Sequence, residues 1–246
     1  MEVAERKLLY PTSLLEKSNC FNTIPVSLKK YLLRQDKSGI IAEFKTKSPS
    51  RGDINTYADI EKVSVGYMQA GASALSILTD KTFFGGSFEN LTKARKYNYC
   101  PILQKDFFID EYQIVEAKSI GADAILLIAS VLSEKEIQKM TDLAHSLGLE
   151  VLLEMHNEAE LLKLNEAIDV IGINNRNLNT FETNIQNSID LISFLPKEIV
   201  KISESGIRNI QDLLTLKSIG FNGFLIGEAL LSGVDPGSKL RELLEK

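Results

Sequence analysis

The stretch Ser119–Met155, SIGADAILLIASVLSEKEIQKMTDLAHSLGLEVLLEM, decides how this chain is read. It holds two short apolar runs, Ala124–Ala129 (AILLIA) and Glu150–Met155 (EVLLEM), with one amphipathic segment between them. Each run is too short for a typical helix and too continuously apolar for a strand with one wet face. Strands covered on both faces of a parallel sheet look like this. Between them, Ile137, Met140, Ala144 and Leu147 share one face of a predicted helix over Ser133–Leu147. Ser133 and Glu136 make a capping box, which gives acceptors to N–H groups that a helix start otherwise orphans. Gly148 supplies the left-handed stop.

The same unit recurs outward in both directions. Further apolar runs lie at Ile40–Lys45 (IIAEFK), Ala74–Thr79 (ALSILT), Pro101–Lys105 (PILQK), Val170–Asn174 (VIGIN), Ile199–Ser203 (IVKIS) and Gly223–Ile226 (GFLI). Gly71, Gly121 and Gly220 stand as stops before strands, and Asp235-Pro236 announces a last helix with Leu240, Leu243 and Leu244 facing inward. Strict strand–helix alternation implies a parallel sheet with right-handed crossovers. Eight repeats in 246 residues fit an α/β fold of the (β/α)₈ TIM-barrel type, whose usual size is about 250 residues. An open doubly wound sheet is the competitor, but no GxGxxG follows the first strand and no GxxxxGK[ST] occurs. Residues 1–39 read as a helical N-terminal extension packed on the barrel, so that 1–246 is expected to form a single domain.

Composition narrows the function. The 28 lysines and arginines against 33 acidic residues leave a formal charge of −5, which disfavours a phosphate-neutralising nucleic-acid surface. Hydrophobic residues make up 44%, too many for a disordered chain. Cys20 and Cys100, the only cysteines, lie in no CxxC, Cys-His or basic setting and are expected to be inert. The charged start MEVAERK lacks a signal-peptide core, and no apolar run approaches the roughly 20 residues that span a bilayer. A cytoplasmic location is expected, with no nucleic-acid or membrane partner.

Charge gathers where the strands end. Glu43, Lys45, Lys105, Glu154, Asn174 and Glu204 close or follow apolar runs. Side chains alternate along a strand, so Glu43 and Lys45 share the face of Ile41, Lys105 that of Leu103, Glu154 that of Leu152, and Glu204 that of Ile202. If those apolar residues fill the barrel, the charges line its mouth, where active sites of this fold lie. Two lysines near one another are expected to depress each other's pKa, which suits a general acid. Glu204-Ser205-Gly206-Ile207 and Ile226-Gly227-Glu228-Ala229 each place a glycine just before a predicted helix, as a phosphate site after strands seven and eight requires. Thr46–Asn55 reads as a long polar loop able to fold over a ligand, and Phe83-Phe84-Gly85-Gly86 as lid, stacking or packing residues. His145 is expected at the surface and His156 exposed and idle. No cluster has metal-ligand spacing, so neither metal nor cofactor is expected.

At these residues the sequence resembles the indole-3-glycerol phosphate synthase family, from about Ile40 to Leu231. The strongest piece is Ile40–Ile54 (IIAEFKTKSPSRGDI), with Glu-x-Lys-x-x-Ser-Pro-Ser at its centre; Lys105-Asp106-Phe107, Gly172–Leu178 (GINNRNL), Ser203–Ile207 (SESGI) and Phe224–Leu230 (FLIGEAL) add to it. The resemblance implies conversion of 1-(2-carboxyphenylamino)-1-deoxyribulose 5-phosphate to indole-3-glycerol phosphate with loss of carbon dioxide and water. It implies Lys105 as general acid, Glu154 as its acid/base partner, and Lys45, held by Glu43, as the lysine that assists dehydration. Ser48, Asn174, Arg176, Glu204 and Ser205 match substrate-positioning residues. Phe84, Phe107, Leu126 and Leu178 match the slot for the anthranilate ring, and Gly206, Ile226, Gly227 and Glu228 the phosphate loop. The phosphorylated small molecule is the expected partner, with other tryptophan-pathway enzymes as candidates. Family members usually carry a longer N-terminal helix over the substrate, where this chain enters at MEVAERK. The related phosphoribosylanthranilate isomerase is the alternative enzyme, but its expected Cys/Asp pair has no counterpart beside Glu43-x-Lys45. A non-catalytic phosphate-binding barrel is the alternative of a different class.

Overall fold

In the computed structural model, residues 2–49, 52–55, 57–177, 180–231 and 235–245 are described. The apolar runs form strands β1 (Ile40–Phe44), β2 (Ala74–Leu78), β3 (Ile102–Lys105), β4 (Ala124–Ile128), β5 (Glu150–Met155), β6 (Val170–Asn174), β7 (Val200–Glu204) and β8 (Gly223–Ile226). They pair in parallel in chain order, and β8 pairs back onto β1 to close a barrel. The strand ends differ from the sequence reading by one residue at most: Lys45 and Thr79 lie just past β1 and β2, whereas Glu204 falls within β7.

Strand alternation sorts the apolar residues into two layers. Ile41, Leu103, Leu126, Leu152, Ile202 and Leu225 fill the barrel interior. Ile40, Ala42, Leu75, Ile102, Ile125, Val151 and Ile171 face outward into a second core under the helices. Both faces are buried, which is why the runs are mainly apolar, with few polar residues such as Ser76, Gln104 and Lys201 among them. The helix over Glu134–Ser146 has the expected capping box from Ser133 and Glu136, and it buries Ile137, Met140 and Ala144. Gly71, Gly121, Gly148 and Gly220 all have positive φ, the conformation their place as stops calls for.

Two connections depart from simple alternation. After β5 the chain makes a six-residue 3₁₀ helix, Glu158–Lys163, in place of an α-helix. Lys163 Nζ reaches across to the carbonyls of Ala129 and Leu132, so this segment braces the loop after β4. The Thr46–Asn55 loop is also not wholly irregular, since Lys47–Ser48 pairs antiparallel with Gly52–Asp53.

The N-terminal segment packs on the barrel through its helices. The helix Leu28–Leu32 inserts Leu28 and Leu32 into the interior layer, which plugs the end opposite the charged residues. Glu150, at the start of β5, accepts from Ser27 Oγ and from the Lys29 amide, and Asp123, just before β4, accepts from the Val26 amide. The helix Glu2–Leu9 lies against the helix Glu111–Ile120 through a 3.0 Å Arg6–Glu116 ion pair, and Tyr112 Oη donates to the carbonyls of Arg6 and Tyr10.

Candidate active site

A cavity of about 1000 Å³ opens at the C-terminal ends of the strands. Its floor is the top of the interior layer, where Leu126 and Leu225 take part in the lining. Above them stand the ionisable groups that strand parity aimed inward. Glu43 (3% exposed), Glu154 (5%) and Glu204 (1%) are buried carboxylates, and such groups persist only with partners. Lys105 Nζ supplies one, 2.8 Å from Glu154 Oε2 and 3.2 Å from Glu204 Oε2. Lys45 Nζ lies 2.8 Å from Glu43 Oε1. Residues from β1, β3, β5 and β7, far apart in the chain, thus form one charged cluster.

The cluster sets its own protonation. Burial alone would lower the Lys105 pKa, but Glu154, Glu204 and Glu43 outweigh it and raise it above the ordinary lysine value. The expected lysine depressed by a lysine neighbour is therefore corrected, because close carboxylates dominate its surroundings. Burial favours neutral carboxyls, yet Lys105 and then His156 hold Glu154 below the ordinary range. Glu204 is pushed up to about 7 by burial, helped by Glu154 and Glu43 and only partly opposed by Lys105. The arrangement offers a protonated lysine, an ionised carboxylate on it, and a second carboxyl that titrates near neutrality.

The other expected site residues mostly surround this cluster. Ser48, Phe84, Phe107, Asn174, Arg176, Ser205, Gly206, Ile226, Gly227 and Glu228 line the cavity. Leu178 lies outside the described residues. Phe84 and Phe107 form an aromatic wall with ring centroids 6.0 Å apart, and Phe83 packs edge-on against Phe107 from outside. Arg176 Nη2 lies 3.6 Å from Glu228 Oε2, a pair that bridges the loops after β6 and β8. Gly227 immediately precedes the short helix Glu228–Leu231, but Gly206 does not start one: the next helix begins at Ile210, capped by Asn209. Gly206 instead continues a turn in which Ser205 also has positive φ (66°), held by Asn175 Nδ2 donating to the Ser205 carbonyl.

His156 overturns its expectation. Its side chain is only 10% exposed and lines the cavity, with Nε2 3.5 Å from Glu154 Oε1. Its position two residues past Glu154 was the available signal, but periodicity says nothing about where a loop residue turns. Ser130 and Arg208 also line the cavity without having been marked by the sequence, as does Asp106, which entered only as part of the Lys105-Asp106-Phe107 motif. His145 lies outward, 2.8 Å from Asp169. Cys100 is buried, and its thiol is pushed up to about 12 by that burial. Among the described residues no group of three or more His, Cys, Asp or Glu side chains is placed to hold a metal ion, and no helix is long and apolar enough to cross a membrane.

Acid, base and aromatic wall at the C-terminal mouth define a (β/α)₈-barrel enzyme. Among solved structures, 3-hexulose-6-phosphate synthase from Salmonella typhimurium has the same fold, with a TM-score of 0.66 at 15% identity over 85% of this chain and 97% of that one. A family model described as indole-3-glycerol phosphate synthase matches residues 1–243. Indole-3-glycerol phosphate synthase of Bacteroides thetaiotaomicron is 50% identical over 226 residues, 91% of this chain and 86% of that protein. The same enzyme of Carboxydothermus hydrogenoformans is 46% identical over 226 residues, 90% and 86% of the two chains. The chain belongs to the indole-3-glycerol phosphate synthase family, carboxy-lyases of tryptophan biosynthesis that act on a phosphorylated small molecule.

Proposed function

We propose that the cavity closes the indole ring of 1-(2-carboxyphenylamino)-1-deoxyribulose 5-phosphate with the following division of labour. The aromatic carbon attacks the ribulose carbonyl carbon. Lys105 gives a proton to the carbonyl oxygen as it gains charge, and carbon dioxide leaves the ring carbon. The hydroxyl so formed departs with one proton as water, and the carbon beside the ring nitrogen gives up one proton to restore the aromatic system; Glu154 and Lys45, the latter held by Glu43, handle these two transfers. Phe84, Phe107, Leu126 and Leu178 clasp the anthranilate ring. Ser48, Asn174, Arg176, Glu204 and Ser205 position the substrate, and Arg176 suits its carboxylate because a guanidinium is a planar fork. Backbone at Gly206, Ile226, Gly227 and Glu228 receives the phosphate, while the Glu228 carboxylate stays with Arg176.

The observation that carries this reading is Lys105 within 3.2 Å of two buried carboxylates on the cavity wall, a cation fixed where an oxyanion can develop. The purified protein is expected to generate indole-ring fluorescence from authentic substrate without added metal or cofactor. Lys105→Ala is expected to abolish nearly all turnover and still bind phosphate; normal turnover in that variant would remove Lys105 from its role. The reading also takes 1–246 as a single barrel domain with 1–39 as its extension, working in the cytoplasm without nucleic acid or membrane, and with other tryptophan-pathway enzymes as candidate partners.

A further inference from the structure

His156 is buried on the cavity wall, and the division of labour above gives it nothing to do. Its surroundings are unusual for a packed histidine. Nε2 faces Glu154 Oε1 at 3.5 Å and Nδ1 faces Glu160 Oε2 at 3.8 Å, both within ion-pair range, yet neither nitrogen makes a hydrogen bond. A neutral imidazole carries a lone pair on one nitrogen, which a carboxylate repels. Two carboxylates, one per nitrogen, suit only the form with both nitrogens protonated. Glu160 is fixed in place for this: its Oε2 accepts from the His156 amide at 2.7 Å and its Oε1 from Asn157 Nδ2 at 2.8 Å.

We propose that His156 is a positioning residue for the ring closure, an imidazolium that holds Glu154 ionised and in place when Lys105 gives up its proton. The inference rests on the reading of Lys105 and Glu154 above. Glu154 has a cation for each oxygen: Lys105 on Oε2 and His156 on Oε1. When the Lys105 ammonium gives its proton to the carbonyl oxygen, it becomes a neutral amine and the positive charge leaves with the substrate oxygen. Glu154, Glu160 and Glu204 then face a site whose nearest remaining cation on Glu154 is the imidazolium. Without it, Glu154 would tend to take up a proton itself and lose its capacity as a base. The charged groups around the ring are Glu154 on the preceding strand, Glu160 on the following 3₁₀ helix, Glu204 from β7, and Lys105 from β3 across Glu154. Burial disfavours the charged ring, but Glu160, Glu154 and Glu204 together raise its pKa above the ordinary histidine value.

The test begins with NMR titration of the intact protein, which has two histidines, and His145→Gln assigns their resonances. The His156 ring is expected to titrate above the ordinary value of about 6.5, and Glu160→Gln to lower that pKa. His156→Gln is expected to reduce kcat by about tenfold or more with little change in KM, since the residue acts after binding. His156→Ala is expected to regain turnover with added imidazole, more strongly at pH values where the imidazole is protonated. A ring titrating at or below the ordinary value overturns the proposal. So does unaltered kcat in His156→Gln, or a loss that imidazole rescues without pH dependence. Should Lys105→Ala keep normal turnover, the reading beneath the proposal fails instead.

Discussion

Replacing Lys105 with methionine tests the electrostatics of the cluster separately from its chemistry. Methionine keeps much of the side-chain volume, so the main change is removal of one buried positive charge. In the wild type that charge lies 2.8 Å from Glu154 and 3.2 Å from Glu204, carboxylates 5% and 1% exposed. Taking one partner from a buried ion pair costs about 3–5 kcal/mol, because the other charge stays behind unpaired. Here two carboxylates stay behind, and they can escape the cost by binding protons. The sign follows. In the wild type Glu154 is held below its ordinary pKa, so its contribution to stability is present above the ordinary carboxylate range and is lost as pH falls. In Lys105→Met both carboxyls should be raised, so the variant is least penalised in acid and loses stability as pH rises through their folded pKa values. The gap between the proteins therefore widens with pH. A loss of about 3–5 kcal/mol should lower the thermal midpoint by on the order of 10 °C in a domain of this size. Circular dichroism melts of both proteins at about pH 5 and about pH 8 read the difference directly. A midpoint difference that is the same at both pH values, or larger in acid, would refute the reasoning.

Three further expectations follow from other contacts. Glu204 titrates up to about 7, so the wild-type rate should carry an ionisation near neutrality; kinetics across pH on Glu204→Gln should lose that limb, and an unaltered profile would assign it elsewhere. A Cβ at Gly227 would sit 3.0 Å from the Glu43 Cβ and closer still to its carboxylate, so Gly227→Ala should displace the partner of Lys45 and cut kcat/KM well below the wild-type value in steady-state assays. Leu28→Ala, at the far end of the barrel interior, should cost about 2–5 kcal/mol in denaturant unfolding while kcat and KM stay as they are; a large kinetic effect would show that the plug reaches the site.

What the sequence by itself determined was the layered frame. The eight apolar runs became eight strands because both faces of each are covered, and a residue buried on both sides needs no alternation to be recognised. Parity then carried Glu43, Lys45, Lys105, Glu154 and Glu204 to the mouth, since each shares a strand face with a residue that had to fill the interior. The motifs beyond β1, β6, β7 and β8 were legible for the same reason: they begin at strand ends whose positions were fixed. What only the tertiary structure decided is which charges meet and how closely. Lys105 lies between Glu154 and Glu204, 49 and 99 residues further along the chain, and that pairing reversed the expected direction of its pKa. His156 turned inward because Glu160 holds its backbone amide, a local contact without a periodic signature. Strand alternation is a property of neighbouring residues, but electrostatics depends on distances across the barrel, and those exist only once it has closed.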